Sequence, residues 1–413
     1  FRVLGGVKGD FVMRGTRVML IATPVSLPSR LGCPLRHART SNRRSKLSAR
    51  QTSTPKHRAR FVPMSSKQLG TLDRGVVSDG VLHLHTPLLK SQPMSELIGK
   101  DVYIKLDALQ PSGSFKLRGI GYTCQKAVHE GAKTFTSSSG GNAGLATAYA
   151  GQKLGIPTTV VVPETTPEFI RYRLRAFDAK VVVHGSQWSE ANEEAIRINE
   201  KNNGKLVHPF DDADTWTGHA TVVHEVLSDL KGSLGFKGEA DTEDVSIGTF
   251  VTCVGGGGLL AGILQGLSEI GLEKETPVIA AETIGADSMF QSLHAGEVIT
   301  LPGITSVAKS LGAASPSPVV FGMCKQKFGK GNGHLVRPTV VSDEDAIRAC
   351  LKFADDHRVL VEPACGAALS VIYGRSDELI DVEGPIIVEV CGGAIVDRKM
   401  LDALAREFGI EEE

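Results

Sequence analysis

The chain has 413 residues, 41% of them hydrophobic, and its 46 basic and 46 acidic residues balance to a formal net charge of zero. Fourteen of the basic residues lie in residues 1–63 beside a single acid, Asp10, which leaves 32 basic residues against 45 acidic ones in the remaining 350. An acidic body of this kind repels a phosphate backbone, which excludes nucleic acid as its partner. No run of 18 apolar residues is present, so no membrane span is predicted.

Residues 1–63 are rich in Arg, Ser and Thr and have no period that would bury a face, so they are predicted to be disordered. Their composition is typical of an organellar transit peptide. The alternative is that Met64 is the natural start and that residues 1–63 are a non-native extension. Seven cysteines without a C-x-x-C pair favour a reducing compartment. The predicted localisation is cytoplasmic, or mitochondrial if the transit peptide is genuine.

From about residue 80, short β-branched runs alternate with longer amphipathic segments. The predicted strands are residues 102–106, 133–137, 158–162, 180–184, 248–254, 277–282 and 385–390. The predicted helices include residues 117–130, 142–154, 190–202, 259–267, 343–356 and 397–408. Residues 230–245 are polar and contain glycine, which predicts a surface loop. The alternation indicates βαβ units, so we expect an α/β fold with a mostly parallel sheet covered on both faces.

Residues 111–119 (P-S-G-S-F-K-L-R-G) place Lys116 after a turn and next to the start of a predicted helix. Burial and the positive end of a helix both disfavour an ammonium group, so the pKa of Lys116 is expected below its usual value. A neutral amine is what carbonyl chemistry needs. Taken alone, the position is also compatible with a surface lysine, because lysine is almost never fully buried.

Two glycine-rich turns each join a predicted strand to a predicted helix. Residues 136–144 (T-S-S-S-G-G-N-A-G) offer backbone N–H groups, hydroxyls and an amide, which suit a carboxylate. Residues 254–262 (V-G-G-G-G-L-L-A-G) let the backbone wrap a phosphate closely. No P-loop pattern is present, and Glu282 lies too far along the chain to be the acid of an NAD site. A plain helix cap is the alternative for either turn.

Cys391 follows the last predicted strand. Ligands of parallel sheets lie beyond the carboxyl ends of the strands, so Cys391 is expected at the same edge as the two turns. A thiol packed in the core is the alternative.

Together these segments resemble fold-type-II pyridoxal-phosphate enzymes, which are similar to tryptophan synthase β, and specifically the serine dehydratase and serine dehydratase-like family. The similarity runs from Thr86 to the C-terminus and includes residues 304–313 (I-T-S-V-A-K-S-L-G-A) and 361–369 (V-E-P-A-C-G-A-A-L). The resemblance implies two domains, each with a mostly parallel twisted sheet flanked by helices. The large cofactor-binding domain is expected to comprise 64–109 and 219–413, and the small substrate-binding domain 110–218. The resemblance also implies pyridoxal 5′-phosphate as the cofactor and a homodimer.

The same resemblance implies roles for individual residues. Lys116 is expected to hold the cofactor as a Schiff base, Phe115 to pack on its ring, Asn142 to bind the ring hydroxyl and Cys391 to face the ring nitrogen. The expected phosphate-binding residues are Gly255, Gly256, Gly257, Gly258 and Leu259. The expected ligands of the substrate carboxylate are Ser139, Gly140, Gly141, Asn142 and Ala143. A monovalent cation, K⁺, is expected at Glu282, Ala286, Ser288, Leu311 and Ala313, whose oxygen atoms suit a hard cation.

The resemblance predicts that the chain removes water and ammonia from a small amino acid, giving pyruvate from L-serine and 2-oxobutanoate from L-threonine. The amine of Lys116 is expected to take the Cα proton, while the cofactor accepts the electrons. The alternatives are a serine racemase-like enzyme, another lyase of the same fold, and a weakly active cofactor-binding regulatory protein. Residue 140 helps to distinguish a racemase from a lyase. Racemases of this superfamily resemble S-S-S-G-N here and use a serine to protonate Cα. This chain has Gly140 instead, which has no proton to give.

Overall fold

The computed structural model describes residues 80–233, 246–328 and 335–410. The predictions for residues 1–63, and for most of the loop at 230–245, fall outside these ranges. Residues 230–233 are the end of a long helix, so the prediction of a loop at those four positions is wrong. Within the described ranges, no helix combines the length and the apolar character that crossing a bilayer requires.

The described residues form ten β-strands, seven of them where the sequence predicts strands. Their bounds are Leu88–Lys90 (β1), Val102–Lys105 (β2), Phe135–Ser137 (β3), Thr158–Val162 (β4), Lys180–Val183 (β5), Lys205–Leu206 (β6), Thr249–Cys253 (β7), Val278–Thr283 (β8), Val336–Val341 (β9) and Ile386–Glu389 (β10). Every residue of β7, β8 and β10 is buried. Strands buried on both faces read as continuous apolar runs, which is the pattern that made them recognisable in the sequence.

The strands form two sheets. The larger has the order β1-β2-β10-β7-β8-β9, in which only β1 and β2 pair antiparallel. The smaller has the order β5-β4-β3-β6 and is parallel throughout. The predicted α/β class with two mostly parallel sheets is therefore confirmed. All strands of the smaller sheet lie within 110–218 and all others outside it, but the domain boundaries themselves stay a prediction.

Twelve α-helices lie in the described part of the chain. Their bounds are Gln92–Ile98 (α1), Lys116–His129 (α2), Asn142–Leu154 (α3), Glu168–Ala176 (α4), Trp188–Asn202 (α5), Ala213–Ser233 (α6), Gly258–Glu269 (α7), Ser288–Ala295 (α8), Pro318–Lys325 (α9), Asp343–His357 (α10), Pro363–Tyr373 (α11) and Arg398–Glu407 (α12). The start of α10 is set by a capping box between Ser342 and Asp345. Both α9 and α11 have a proline in the first turn, where its missing N–H costs nothing.

The main hydrophobic core is built on the larger sheet. Phe250 and Val251 of β7 contribute to it, together with Leu260 of α7 and Leu369 of α11, and all four side chains are buried. Because β7 and β10 are parallel neighbours, their carboxyl ends lie at one edge of this core. The glycine turn at 255–258 follows β7 and Cys391 follows β10, so the fold brings these two predicted features to a common edge.

Candidate active site

Lys116 is the first residue of α2 and is anchored beside the end of β10. The N–H of Phe115 donates to the carbonyl oxygen of Cys391 at 3.0 Å, and Ser114 forms an antiparallel bridge with Gly392. The two residues before α2 are thus tied to the segment that follows β10. This backbone pairing places Lys116 at the carboxyl edge of the larger sheet.

The amine of Lys116 lies in a half-buried position. Its Nζ donates to the carbonyl oxygen of Pro209 at 2.7 Å. Burial lowers the pKa of Lys116 to about 8, and the opposing attraction of Cys253, Cys391 and Glu362 only partly offsets that effect. The predicted direction of the shift agrees with this value. A neutral amine is therefore accessible close to physiological pH.

Two aromatic rings adjoin this amine. Nζ of Lys116 lies 5.0 Å from the centroid of the Phe115 ring, which in turn lies 5.0 Å from the ring of His219 on α6. His219 is fully buried, and neither of its ring nitrogens has a hydrogen-bond partner among the described residues. Burial holds the pKa of His219 well below its usual value, so the ring is neutral. No motif in the sequence marks His219, so its place at the site was not predicted.

The glycine turn at 255–258 joins β7 to α7 and presents unpaired donors. Among the described residues, no acceptor is found for the backbone N–H groups of residues 255–259. Gly257 has φ 98°, a left-handed conformation that favours glycine. Consecutive free N–H groups at the start of a 12-residue helix form an anion site of the kind that phosphate occupies.

The lysine amine and the glycine turn are neighbours. Phe210 follows Pro209, the acceptor of the Lys116 hydrogen bond, and its ring lies so close to Gly256 that a Cβ atom there would overlap it. The residue that accepts from the amine and the residue that contacts the turn are therefore adjacent in the chain. This arrangement fits a cofactor that has an aldehyde for the amine and a phosphate for the turn.

A second anion site lies where β3 joins α3. The N–H of Gly141 donates to Oγ of Ser139 at 3.2 Å, and no described acceptor is found for the N–H groups of Asn142 and Ala143. A Cβ atom at Gly144 would overlap the carbonyl oxygen of Ser139, so the turn requires glycine there. The donors at this helix start suit a carboxylate, as the sequence predicts.

The side chain of Asn142 links this turn to the rest of the site. Its Nδ2 donates to Oε1 of Glu362 at 2.9 Å and to Oγ of Ser310 at 3.3 Å. Its Oδ1 accepts from the N–H of Ala394 at 2.9 Å. Glu362 was not predicted to have a role, although the acid stands directly before Pro363 at the start of α11. The contact spans 220 positions of the chain and depends on the fold.

Cys391 lies among thiols at the same edge. It is 3% exposed, and its Sγ is 3.4 Å from Sγ of Cys253 at the end of β7. Hydrogen bonds with Cys253 and Cys365, together with burial, raise the pKa of Cys391 well above its usual value. Cys391 is therefore a neutral thiol. Its predicted place opposite the ring nitrogen stays a prediction, and the two neighbouring thiols were not predicted.

Some of the predicted cation ligands lie close to the glycine turn. The two carboxylate oxygens of Glu282 accept from the N–H groups of Met289 and Phe290 at 3.0 and 2.6 Å. The hydroxyl of Ser288 is buried without a partner in the described chain. A Cβ atom at Gly255 would lie 3.1 Å from the backbone of Leu311. Glu282 thus caps the start of α8, and the structure leaves the cation prediction untested.

The fold and the site together define a class of protein: an α/β fold with two mostly parallel sheets and a half-buried lysine amine near a glycine turn that offers free N–H donors. The family model described as "Pyridoxal-phosphate dependent enzyme" matches residues 82–392. This chain belongs to the pyridoxal-phosphate dependent enzyme family.

Named relatives and solved structures agree with that assignment. The chain is 42% identical over 348 residues to the L-serine dehydratase/L-threonine deaminase of Bos taurus, covering 81% of this chain and 99% of the relative. It is 41% identical over 337 residues to the serine dehydratase-like protein of Homo sapiens, covering 79% and 95%. The crystal structure of a fungal L-serine ammonia-lyase from Rhizomucor miehei matches with a TM-score of 0.71 and 34% identity, covering 80% of this chain and all of that one. The family resemblance noted in the sequence is confirmed.

Proposed function

We propose that this chain is an L-serine/L-threonine ammonia-lyase that uses pyridoxal 5′-phosphate. The observation that carries the proposal is the position of the Lys116 amine beside the unpaired N–H groups of residues 255–259. A cofactor with one aldehyde and one phosphate needs that pair of groups. Relatives named L-serine dehydratase/L-threonine deaminase, at 40% to 42% identity, support the substrate class.

Different residues of the site would bind different parts of the cofactor. When bound, the cofactor supplies a ring that accepts the electrons of the substrate Cα–H bond. The N–H groups of residues 255–259 hold the phosphate, and Phe115 packs on the ring. Cys391 is a neutral thiol and gives the ring nitrogen no acidic partner, which favours elimination over transamination.

Lys116 has two tasks. Its amine would hold the cofactor in the resting enzyme and, when free, would take the Cα proton of the substrate as general base. The N–H groups of Asn142 and Ala143 would hold the substrate carboxylate during this step. The β-hydroxyl would leave as water with a proton equivalent to the one that Lys116 took from Cα, and the released enamine would hydrolyse to ammonia and a 2-oxo acid. Serine gives pyruvate and threonine gives 2-oxobutanoate.

The proposal is tested by a coupled assay for 2-oxo acids with purified, cofactor-loaded protein. Stoichiometric release of ammonia and pyruvate from L-serine, or of ammonia and 2-oxobutanoate from L-threonine, is expected. Neither product from either amino acid would overturn the proposed reaction and favour a regulatory cofactor-binding protein.

Gly140 distinguishes elimination from racemisation. A Cβ atom at this position would lie 2.8 Å from Oγ1 and 3.1 Å from Cγ2 of Thr166 and 3.3 Å from Cγ1 of Val162, so a side chain here requires a small shift of Thr166. With that shift, the variant Gly140→Ser supplies a proton donor facing the substrate. We expect the ratio of D-serine formation to elimination to rise at least about tenfold, the low end of what a positioned proton donor contributes.

The matched control for that variant is Gly140→Ala, which adds the same Cβ atom without a hydroxyl. Its product ratio, measured by chiral chromatography, is expected to match that of the wild type. An unchanged ratio in Gly140→Ser would show that residue 140 does not face Cα.

We further propose a monovalent cation, K⁺, at Glu282 with the carbonyl oxygens of Ala286, Ser288, Leu311 and Ala313. Burial raises the pKa of Glu282 well above its usual value, so a bound cation would stabilise its ionised form, and the unpartnered Ser288 hydroxyl lies at the same place. Turnover is expected to be higher in potassium than in sodium, and Glu282→Gln is expected to remove that difference. Equal turnover of the wild type in the two salts would contradict the proposal.

We also propose that the enzyme is a homodimer, which size-exclusion chromatography with light scattering tests. We propose a reducing compartment, the cytoplasm, on the ground that the six cysteines in the described ranges are all buried free thiols. Localisation of the tagged full chain tests this, since a mitochondrial signal would support a transit peptide in residues 1–63.

A further inference from the structure

Glu362 is a buried carboxyl group at the site to which no role has been assigned. It directly precedes α11 and is 3% exposed. Its Oε1 accepts from Nδ2 of Asn142 at 2.9 Å, whereas Oε2 makes no well-formed hydrogen bond with the described residues. A buried acid with an unpaired oxygen is costly, so its retention here calls for a functional reason.

The backbone holds this carboxyl group at the edge where the other site residues meet. The N–H of Glu362 donates to the carbonyl oxygen of Gly392 at 3.4 Å. Gly393 has φ 122°, and a Cβ atom there would overlap the carboxyl group of Glu362. Because Gly393 has no side chain, the segment after β10 leaves room for the carboxyl group of Glu362.

Three hydrogen bonds fix the amide of Asn142. Nδ2 of Asn142 donates to the carboxylate of Glu362, and Oδ1 of Asn142 accepts from the N–H of Ala394. Because one partner only accepts and the other only donates, the amide cannot be flipped. The third bond, from Nδ2 to Oγ of Ser310, is the longest at 3.3 Å. It is the bond that an acceptor on a bound ligand most readily replaces.

We propose that Glu362 is a positioning residue, whose carboxyl group orients the Asn142 amide towards the ring hydroxyl of the cofactor and whose charge tunes the Lys116 amine. This inference rests on the proposed function, because it assumes that Lys116 and Asn142 both contact pyridoxal phosphate. Glu362 itself acts through these two residues and does not react.

The electrostatic surroundings support both parts of the proposal. Burial raises the pKa of Glu362 to about 7, although Ser310, Asn142, Lys116 and the N–H of Ile395 all favour the ionised form. Glu362 also interacts with the thiol of Cys350 on α10, which burial keeps protonated. Glu362 and Lys116 therefore both change charge near neutral pH.

The sign of the coupling follows from the charges. Above pH 7 the ionised Glu362 attracts the ammonium form of Lys116 and raises the pKa of that amine. Removing the charge should lower the pKa of Lys116. The attachment of pyridoxal phosphate to the apoenzyme, which needs the neutral amine, should then have its midpoint at a lower pH than in the wild type.

Two variants separate the two parts of the proposal. Glu362→Gln keeps an acceptor for Asn142 but never ionises, whereas Glu362→Ala has neither property. The affinity for pyridoxal phosphate is measured by equilibrium titration of apoenzyme. We expect the affinity of Glu362→Gln to stay within about threefold of the wild-type value. That of Glu362→Ala should fall about tenfold or more, because the buried Asn142 amide loses its partner. The pH midpoint of attachment, followed by absorbance, is expected to fall in both.

Glu389→Gln is the matched control. Glu389 is a second fully buried acid with unpaired oxygens, and its raised pKa keeps it neutral, so amidation should leave the attachment midpoint unchanged. Wild-type midpoints in both Glu362 variants would overturn the inference, and Glu362→Gln alone decides this if Glu362→Ala does not fold. Failure of the wild type to attach the cofactor at Lys116 would instead overturn the proposed function.

Discussion

Replacing Lys116 with alanine is expected to lower the release of 2-oxo acid by at least about a thousandfold, because the variant loses both the covalent anchor of the cofactor and the general base. The amine donates to Pro209, whose neighbour Phe210 contacts the glycine turn at 255–258, and burial has already lowered the pKa of the amine to about 8. The measurement is the steady-state rate with L-serine and with L-threonine at saturating cofactor.

The matched control is the variant Lys126→Ala, which changes another lysine of the same helix, α2. Lys126 is exposed and pairs with Asp214 at 2.7 Å on the surface, where an ion pair contributes little to stability. Its variant is expected to retain turnover close to that of the wild type. Comparable activity of Lys116→Ala and Lys126→Ala would reject Lys116 as the catalytic residue.

Substituting Gly257 with alanine is expected to weaken binding of pyridoxal phosphate at least about tenfold, which corresponds to roughly 1.4 kcal/mol. Gly257 has φ 98°, where a side chain is strained, and a Cβ atom would also lie 2.8 Å from Val320. The turn must change shape to relieve both effects. Its N–H groups would then no longer converge on one phosphate. Equilibrium titration of the apoenzyme measures the change.

Gly322→Ala is the control for this prediction. Gly322 lies inside α9, has no heavy atom within 4 Å of the position of an added Cβ, and gains helix propensity on substitution. Its variant should bind the cofactor as the wild type does. If Gly257→Ala also retains wild-type affinity, the turn at 255–258 is not the phosphate site.

Much of the fold could be predicted because its central strands are buried on both faces. Runs such as residues 249–253 and 278–283 are buried throughout and consist mainly of apolar and β-branched residues, so they could be recognised as strands without tertiary information. Strand β9 was missed, since Pro338 interrupts it and most of its residues are only half-buried. The end of α6 was missed because its polar, glycine-containing residues are typical of a loop, whereas packing of the preceding turns keeps the chain helical.

The site could be predicted only where the chemistry lies in one short segment. The lysine turn and the two glycine turns each signal their function locally, and the structure brings Lys116 and the 255–258 turn together. Glu362, Cys253 and His219 do not lie in a short segment that signals their function. Their relevance depends on contacts with residues 142, 391 and 115, far along the chain, which only the folded structure reveals.

The proposed site depends most on a bond between the amine of Lys116 and the aldehyde of pyridoxal phosphate. Borohydride reduction of the cofactor-loaded enzyme, followed by proteolysis and mass spectrometry, locates that bond directly. We expect the reduced cofactor on the peptide that contains Lys116 and on no other lysine. A label on a different lysine, or none on an enzyme that remains active, would contradict the assignment of the site.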